Sequence, residues 1–98
     1  MEIIKKQNGT ALDVALSGRL DTTTAPQAEA ELKPAMEGIT ELTFDFANLE
    51  YVSSAGLRVL LAAQKTMNRQ GSMRIRNVNR EIMEVFEITG FTDILTIE

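Results

Sequence analysis

The chain has no cysteine, no histidine and no tryptophan, only two prolines, and aromatic residues make up 5% of it. Without cysteine there is no disulfide framework and no thiolate metal site. Without histidine, a Ser-His-Asp or Cys-His nucleophile and a His-based zinc site are excluded within the chain. Long hydrophobic runs are missing too: no segment approaches the ~20 apolar residues a membrane helix needs. The N-terminal MEIIKKQNGT alternates like a strand and lacks the apolar core of a signal peptide. The expected location is therefore the cytoplasm.

What is present is ordinary for a folded protein. The 98 residues are 44% apolar and 24% charged, which suits one compact domain, residues 1–98, rather than a disordered chain. The formal net charge of −4 weighs against broad binding to nucleic acid or to an anionic membrane, both of which favour a basic surface. Carboxylates are plentiful, but their spacing picks out no acid/base pair. No catalytic residue, metal or cofactor is expected.

Periodicity divides the chain into alternating elements. Met1–Lys6 begins a strand. Asn8 and Gly9 signal a two-residue hairpin, since both tolerate the positive φ of a type I′ turn. Leu12, Val14 and Leu16 mark a period-2 strand over about Ala11–Ser17, which Gly18 to Asp21 then leaves. Asp21 to Thr24 offers caps, and Pro26 suits the first turn of a helix over about Ala25–Met36. Pro34 should kink or end that helix. A third strand is read at Glu41–Phe46, followed by a connection over Ala47–Ser53. A long helix over Ser54–Gln70 precedes Gly71. Ser72–Val78 reads as a fourth strand, and Asn79 as the cap of a short helix ended by Gly90. Ile94–Ile97 fits a final strand, a helical turn or a fraying tail.

The order β-β-α-β-α-β-α, with strands alternating with helices, predicts an α/β fold: a mixed sheet of four to five strands packed with helices, mostly parallel through right-handed crossovers.

The junction YVSSAGLRVLL, Tyr51–Leu61, carries the main functional signal. The first backbone N–H groups of a helix lack intrahelical acceptors, and the N-terminus carries a partial positive charge. A serine hydroxyl can cap those donors, and a phosphate on that oxygen would be stabilised by the same donors and dipole. Ser53 and Ser54 therefore admit two readings, helix cap or phosphate acceptor. Gly56 costs helix stability and implies a close approach, by another backbone such as the sheet, by a partner or by a nucleotide. Arg58, Lys65 and Arg69 form a basic stripe, read either as a solvated face or as a guide for an acidic partner. Asp21 caps the first helix or meets a partner, and Thr22 belongs to a threonine run that suits either role.

The GRLD at Gly18–Asp21 and the LEYVSSAGLRVLL at Leu49–Leu61, with this element order, resemble the STAS domain family over essentially the whole chain. The closest resemblance is to bacterial anti-sigma factor antagonists. It implies a non-enzymatic regulator of transcription by partner switching. The unphosphorylated form would bind an anti-sigma factor that is also a serine kinase and release a sigma factor. Phosphorylation would switch it off, and a phosphatase would reset it. The family's D-S-x-G-L switch falls on Ser53-Ser54-Ala55-Gly56-Leu57, so Ser54 is the implied phosphorylation site and Ser53 a possible second acceptor. Asp21, Thr22, Asn48, Ser53, Gly56 and Arg58 make up the implied partner-binding set. Asn48 stands where an acidic residue often occurs, and Ser53 replaces the family's aspartate. That replacement leaves an alternative open: a STAS scaffold or small-ligand sensing module that is not phosphorylated. A small enzyme would need catalytic residues from another chain or an unusual Asp/Lys site.

Overall fold

Two strands open the chain in the computed structural model, which describes residues 1–98. Strand β1 (Glu2–Asn8) and strand β2 (Ala11–Leu20) pair antiparallel, with Asn8 opposite Ala11. The hairpin loop is thus Gly9-Thr10, one residue later than the Asn8-Gly9 expectation. Gly9 alone has positive φ, +64°. A type I′ turn needs it at both central positions, whereas a turn of the II′ class needs it only at the first.

Helix α1 (Ala25–Ala35) follows, then strand β3 (Glu41–Val52), helix α2 (Ser54–Gln70), strand β4 (Ser72–Arg76) and helix α3 (Arg80–Thr89). The sheet order is β1-β2-β3-β4, with β2/β3 and β3/β4 parallel. The expected fold class and element order are both present. A 3-10 turn at Phe91–Asp93 leads to one parallel bridge between Ile97 and Ile75, so the C-terminal segment lies along β4 without becoming a full strand.

Three strand boundaries differ from expectation. β2 continues to Leu20, and β3 runs on through the residues read as a connection, to Val52. Their register shifts between Ala15 and Ser17 and again between Gly18 and Arg19. Each shift places an extra residue on β3, as in a β-bulge. The strict alternation of Leu42, Phe44 and Phe46 then gives way to Leu49 and Val52, all of them buried. A strand whose period is broken twice reads as a loop. β4 stops at Arg76 rather than Val78 because Asn77 turns into the left-handed region, φ +60°. Its Nδ2 donates to Asp45 Oδ1 at 2.9 Å.

One face of the sheet carries the core. Leu12, Val14 and Leu16 of β2, the β3 phenylalanines, and Met73 and Ile75 of β4 are buried against Leu32, Leu60, Met67 and Phe86 of the helices. α1 ends one residue after Pro34, near the point expected, although the Met36 amide still donates to the Leu32 carbonyl at 2.9 Å. The opposite face is polar. Ile4, Lys6, Asp13, Thr43, Asp45 and Arg76 surround an open hollow there of about 280 Å³. No helix is long and apolar enough to cross a membrane.

Candidate functional site

At the far ends of β2 and β3 the chain passes into α1 and α2. The bulges carry both strands to this point together: Leu20 lies opposite Val52, and the Ser53 amide donates to the Leu20 carbonyl at 2.9 Å. The start of α2 is therefore fixed to the end of β2 by a backbone bond.

The two serines have different environments. Ser53 is half-buried and is the N-cap, with extended backbone. Its Oγ accepts from the Gly56 amide at 3.3 Å. Ser54 is the first residue of α2 and is exposed. Its hydroxyl makes no hydrogen bond to the protein, so it neither caps the helix nor is held back by it. The first turn of α2 contains no acidic residue, leaving its positive end uncompensated by any carboxylate of its own.

Gly56 is buried and explains how α2 seats. A Cβ there would lie 2.5 Å from the Leu20 carbonyl oxygen and 2.9 Å from Leu20 Cγ. The close approach read from the sequence is thus an approach by the sheet.

Asp21 anchors the neighbouring corner. Its Oδ1 accepts from the amides of Thr23 at 3.0 Å and Thr24 at 3.2 Å. Thr24 Oγ1 donates to the Arg19 carbonyl at 2.7 Å and accepts from the Asp21 amide at 2.9 Å. The Thr24 amide, with the Thr23 amide, the Thr24 hydroxyl and Arg19, holds the Asp21 carboxyl below its ordinary range against a smaller upward push from desolvation. These bonds close the turn that leads into α1 and do not cap the helix itself, whose N-cap, Thr24, has no side-chain cap bond; Oδ2 faces Arg19 Nε at 3.5 Å. The Arg19 guanidinium also sits 4.4 Å from the centre of the Tyr51 ring. Nothing in the sequence pattern pointed to this pair, because Tyr51 fell in the stretch read as a connection. Only the extended β3, which places Arg19 opposite Tyr51, brings them together.

Thr22, Ala55 and Arg58 line one shallow groove between the starts of α1 and α2, together with Pro26 and Glu29. Arg58 is exposed one turn beyond Ser54. Asn48 is exposed on β3 and opens instead onto a second, polar hollow with Arg19, Glu50, Asn79 and Glu81. Asn79 is the α3 cap that the sequence indicated. Its Oδ1 accepts from the Ile82 amide at 2.8 Å, while its Nδ2 donates to the Leu49 carbonyl at 3.0 Å. Of the residues singled out, Asp21, Thr22, Ser53, Ser54 and Arg58 cluster where the two helices begin, Gly56 lies beneath them, and Asn48 belongs to the adjoining hollow.

An exposed serine at the head of a helix, seated by a glycine against the end of a mixed four-stranded sheet, matches one domain class along the whole chain. This protein belongs to the STAS domain family, whose description fits residues 2–98. It is 31% identical over 93 residues to the anti-sigma-B factor antagonist of Bacillus subtilis (strain 168), covering 94% of this chain and 85% of that protein. Its fold is similar to that of the anti-sigma factor antagonist SpoIIAA in its unphosphorylated form, with a TM-score of 0.78 at 17% identity over 99% of this chain and 87% of the other. The phosphorylated form of the Bacillus cell fate determinant SpoIIAA superposes comparably, with a TM-score of 0.76 at 18% identity over 99% and 91%.

Proposed function

We propose that this protein is an anti-sigma factor antagonist switched by phosphorylation at Ser54. The observation that carries the reading is the division of labour at the α2 N-terminus. Ser53 supplies the cap, so the exposed Ser54 hydroxyl is free to react without undoing the helix. The names of the curated relatives support the functional class.

The unphosphorylated protein docks on an anti-sigma factor through the corner formed by Asp21, Thr22, Ser53, Ser54 and Arg58, with Asn48 at its margin. The bound sigma factor is released. The anti-sigma factor is also the kinase and brings its own ATP and Mg²⁺. The Ser54 hydroxyl attacks the γ-phosphorus, the bond to ADP breaks, and the hydroxyl proton leaves to a base on the kinase. A phosphoserine carries about −1.5 to −2 charges and three acceptor oxygens. The free amides and dipole of α2 tolerate it, so this domain need not refold. A tight interface does not tolerate it: a penalty of ~3 kcal/mol lowers affinity more than a hundredfold. A separate phosphatase resets the switch in the cytoplasm. Neither nucleic acid nor membrane is a direct partner.

The test is ATP-dependent phosphorylation by a cognate anti-sigma factor kinase, followed by site mapping. Ser54→Ala should abolish labelling and Ser53→Ala should retain it. Undiminished labelling of Ser54→Ala removes the assignment, and labelling of Ser53 alone transfers it to that residue. Stable binding to the anti-sigma factor without any labelling supports the scaffold reading instead.

A further inference from the structure

The two edges of the sheet are treated differently. At the β4 edge, the Ile75 amide donates to the Thr96 carbonyl and the Glu98 amide to the Ile75 carbonyl, both at 2.9 Å. The C-terminal segment thereby occupies that edge. β1 pairs only with β2, and nothing in the chain covers its outer side. An open edge is a template for another strand.

The side chains on β1 say which strand fits. Ile3 packs toward the core and Lys5 Nζ reaches Glu31 Oε1 on α1 at 3.1 Å, so both lie on the helix side. Glu2, Ile4 and Lys6 are exposed and alternate with them on the polar face, where Ile4 is 54% exposed. A polar edge strand with an apolar residue flanked two positions away by opposite charges is self-complementary.

We infer that β1 is a homodimerisation edge, pairing antiparallel with β1 of a second copy about a two-fold axis at Ile4. The axis stands perpendicular to the sheet, so both copies keep their helices on the same side. Ile4 then faces Ile4 of the second copy, and Glu2 of each copy faces Lys6 of the other. Ile3 faces Lys5, whose charge is already matched by Glu31. Opposite charges and apolar residues directly across a ladder are favourable, and like charges are not. The adjacent register, centred on Lys5, sets Lys5 against Lys5 and Ile4 against Lys6. Lysine on an edge ordinarily discourages pairing; Lys6 lies opposite Asp13 of its own β2, and in one register only it also meets a carboxylate of the second copy, so it favours that register. The result is a continuous eight-stranded sheet, twice the four strands of one copy. It buries little surface, so it belongs with weak, transient interfaces.

The absence of native cysteine makes the register directly testable. Residues opposite each other in an antiparallel ladder have Cα atoms about 4.5–5.5 Å apart, within the about 4.4–6.8 Å that a disulfide spans. Under mild oxidation at millimolar protein, Ile4→Cys should form a covalent dimer. Lys6→Cys should not, because its own copies lie four residues apart along the ladder, roughly 13 Å. Sedimentation equilibrium supplies the second measurement. The unmodified protein should show reversible dimerisation at millimolar concentration, Glu2→Lys or Lys6→Glu should weaken it roughly tenfold, and the double reversal Glu2→Lys/Lys6→Glu should restore it. A protein that stays monomeric at millimolar concentration, equal crosslinking of both cysteine variants, or a double reversal as weak as the single changes overturns the inference.

Discussion

Helices α2 and α3 begin alike and differ in what they leave open. Each has an N-cap residue in extended conformation whose side chain accepts from the amide three residues on: Ser53 from Gly56 at 3.3 Å, Asn79 from Ile82 at 2.8 Å. In α3 the first turn carries its own carboxylate, Glu81, and the cap is tied to β3 through the Leu49 carbonyl. Charge compensation and anchoring are complete within the chain. In α2 the first turn has no acid, the cap bond is longer, and an unengaged hydroxyl stands at the first position. The same motif is closed in one helix and left open to an incoming anion in the other. A helix start becomes a candidate switch through what it leaves uncompensated, and capping alone does not separate the two.

The contrast can be broken most severely at Gly56. Gly56→Ala forces a methyl to within 2.5 Å of the Leu20 carbonyl and should cost about 2–3 kcal/mol, seen as a lower melting temperature. At the matching position of α3 the chain already holds Ile82, which is buried without conflict. Asn79→Ala comes next, at about 1–2 kcal/mol in chemical denaturation, because it loses a cap and leaves the Leu49 carbonyl without its donor. Ser53→Ala should cost less, about 0.5–1 kcal/mol by the same measurement, since its cap bond is the longer one. A larger loss at Ser53 than at Asn79 would reverse the ranking of the two caps.

The smallest effect concerns the corner beside α2. The Asp21 carboxyl is held below its ordinary value of 3.8, chiefly by the Thr24 amide. A depressed folded-state pKa means stability that is present above the unfolded value and lost as pH falls through the folded one. A carboxyl titration followed by NMR should give Asp21 a midpoint below 3.8, and Asp21→Asn should flatten the acid side of the stability profile.

Much of this architecture was legible because local signals agreed. The α2 boundaries, the Asn79 cap and the Gly90 stop follow from residue types whose backbone chemistry leaves few alternatives. The β2 and β3 extensions were not legible, since a bulge shifts the phase of an alternating pattern and makes buried Leu49 and Val52 look like loop residues. The Arg19–Tyr51 stack depends on that hidden register and was lost with it. The helix start read at Ser54 already put Ser53 at the cap, but that the Ser54 hydroxyl stays unengaged was not legible, because it depends on how the start of α2 is seated against the end of β2. The β1 edge left no trace in periodicity, which describes the faces of a strand and says nothing of its sides.

Tyr51 is the only tyrosine in a chain without tryptophan, and it lies beneath the Arg19 guanidinium, one residue before the strand ends at Val52 and α2 begins. Excited at wavelengths too long for its four phenylalanines, the protein therefore emits from a single phenol placed at the corner where docking and phosphorylation are proposed. Any event that lifts the guanidinium from the ring or covers it with a partner alters the light from that one phenol, so the molecule carries an optical reporter of its own candidate site.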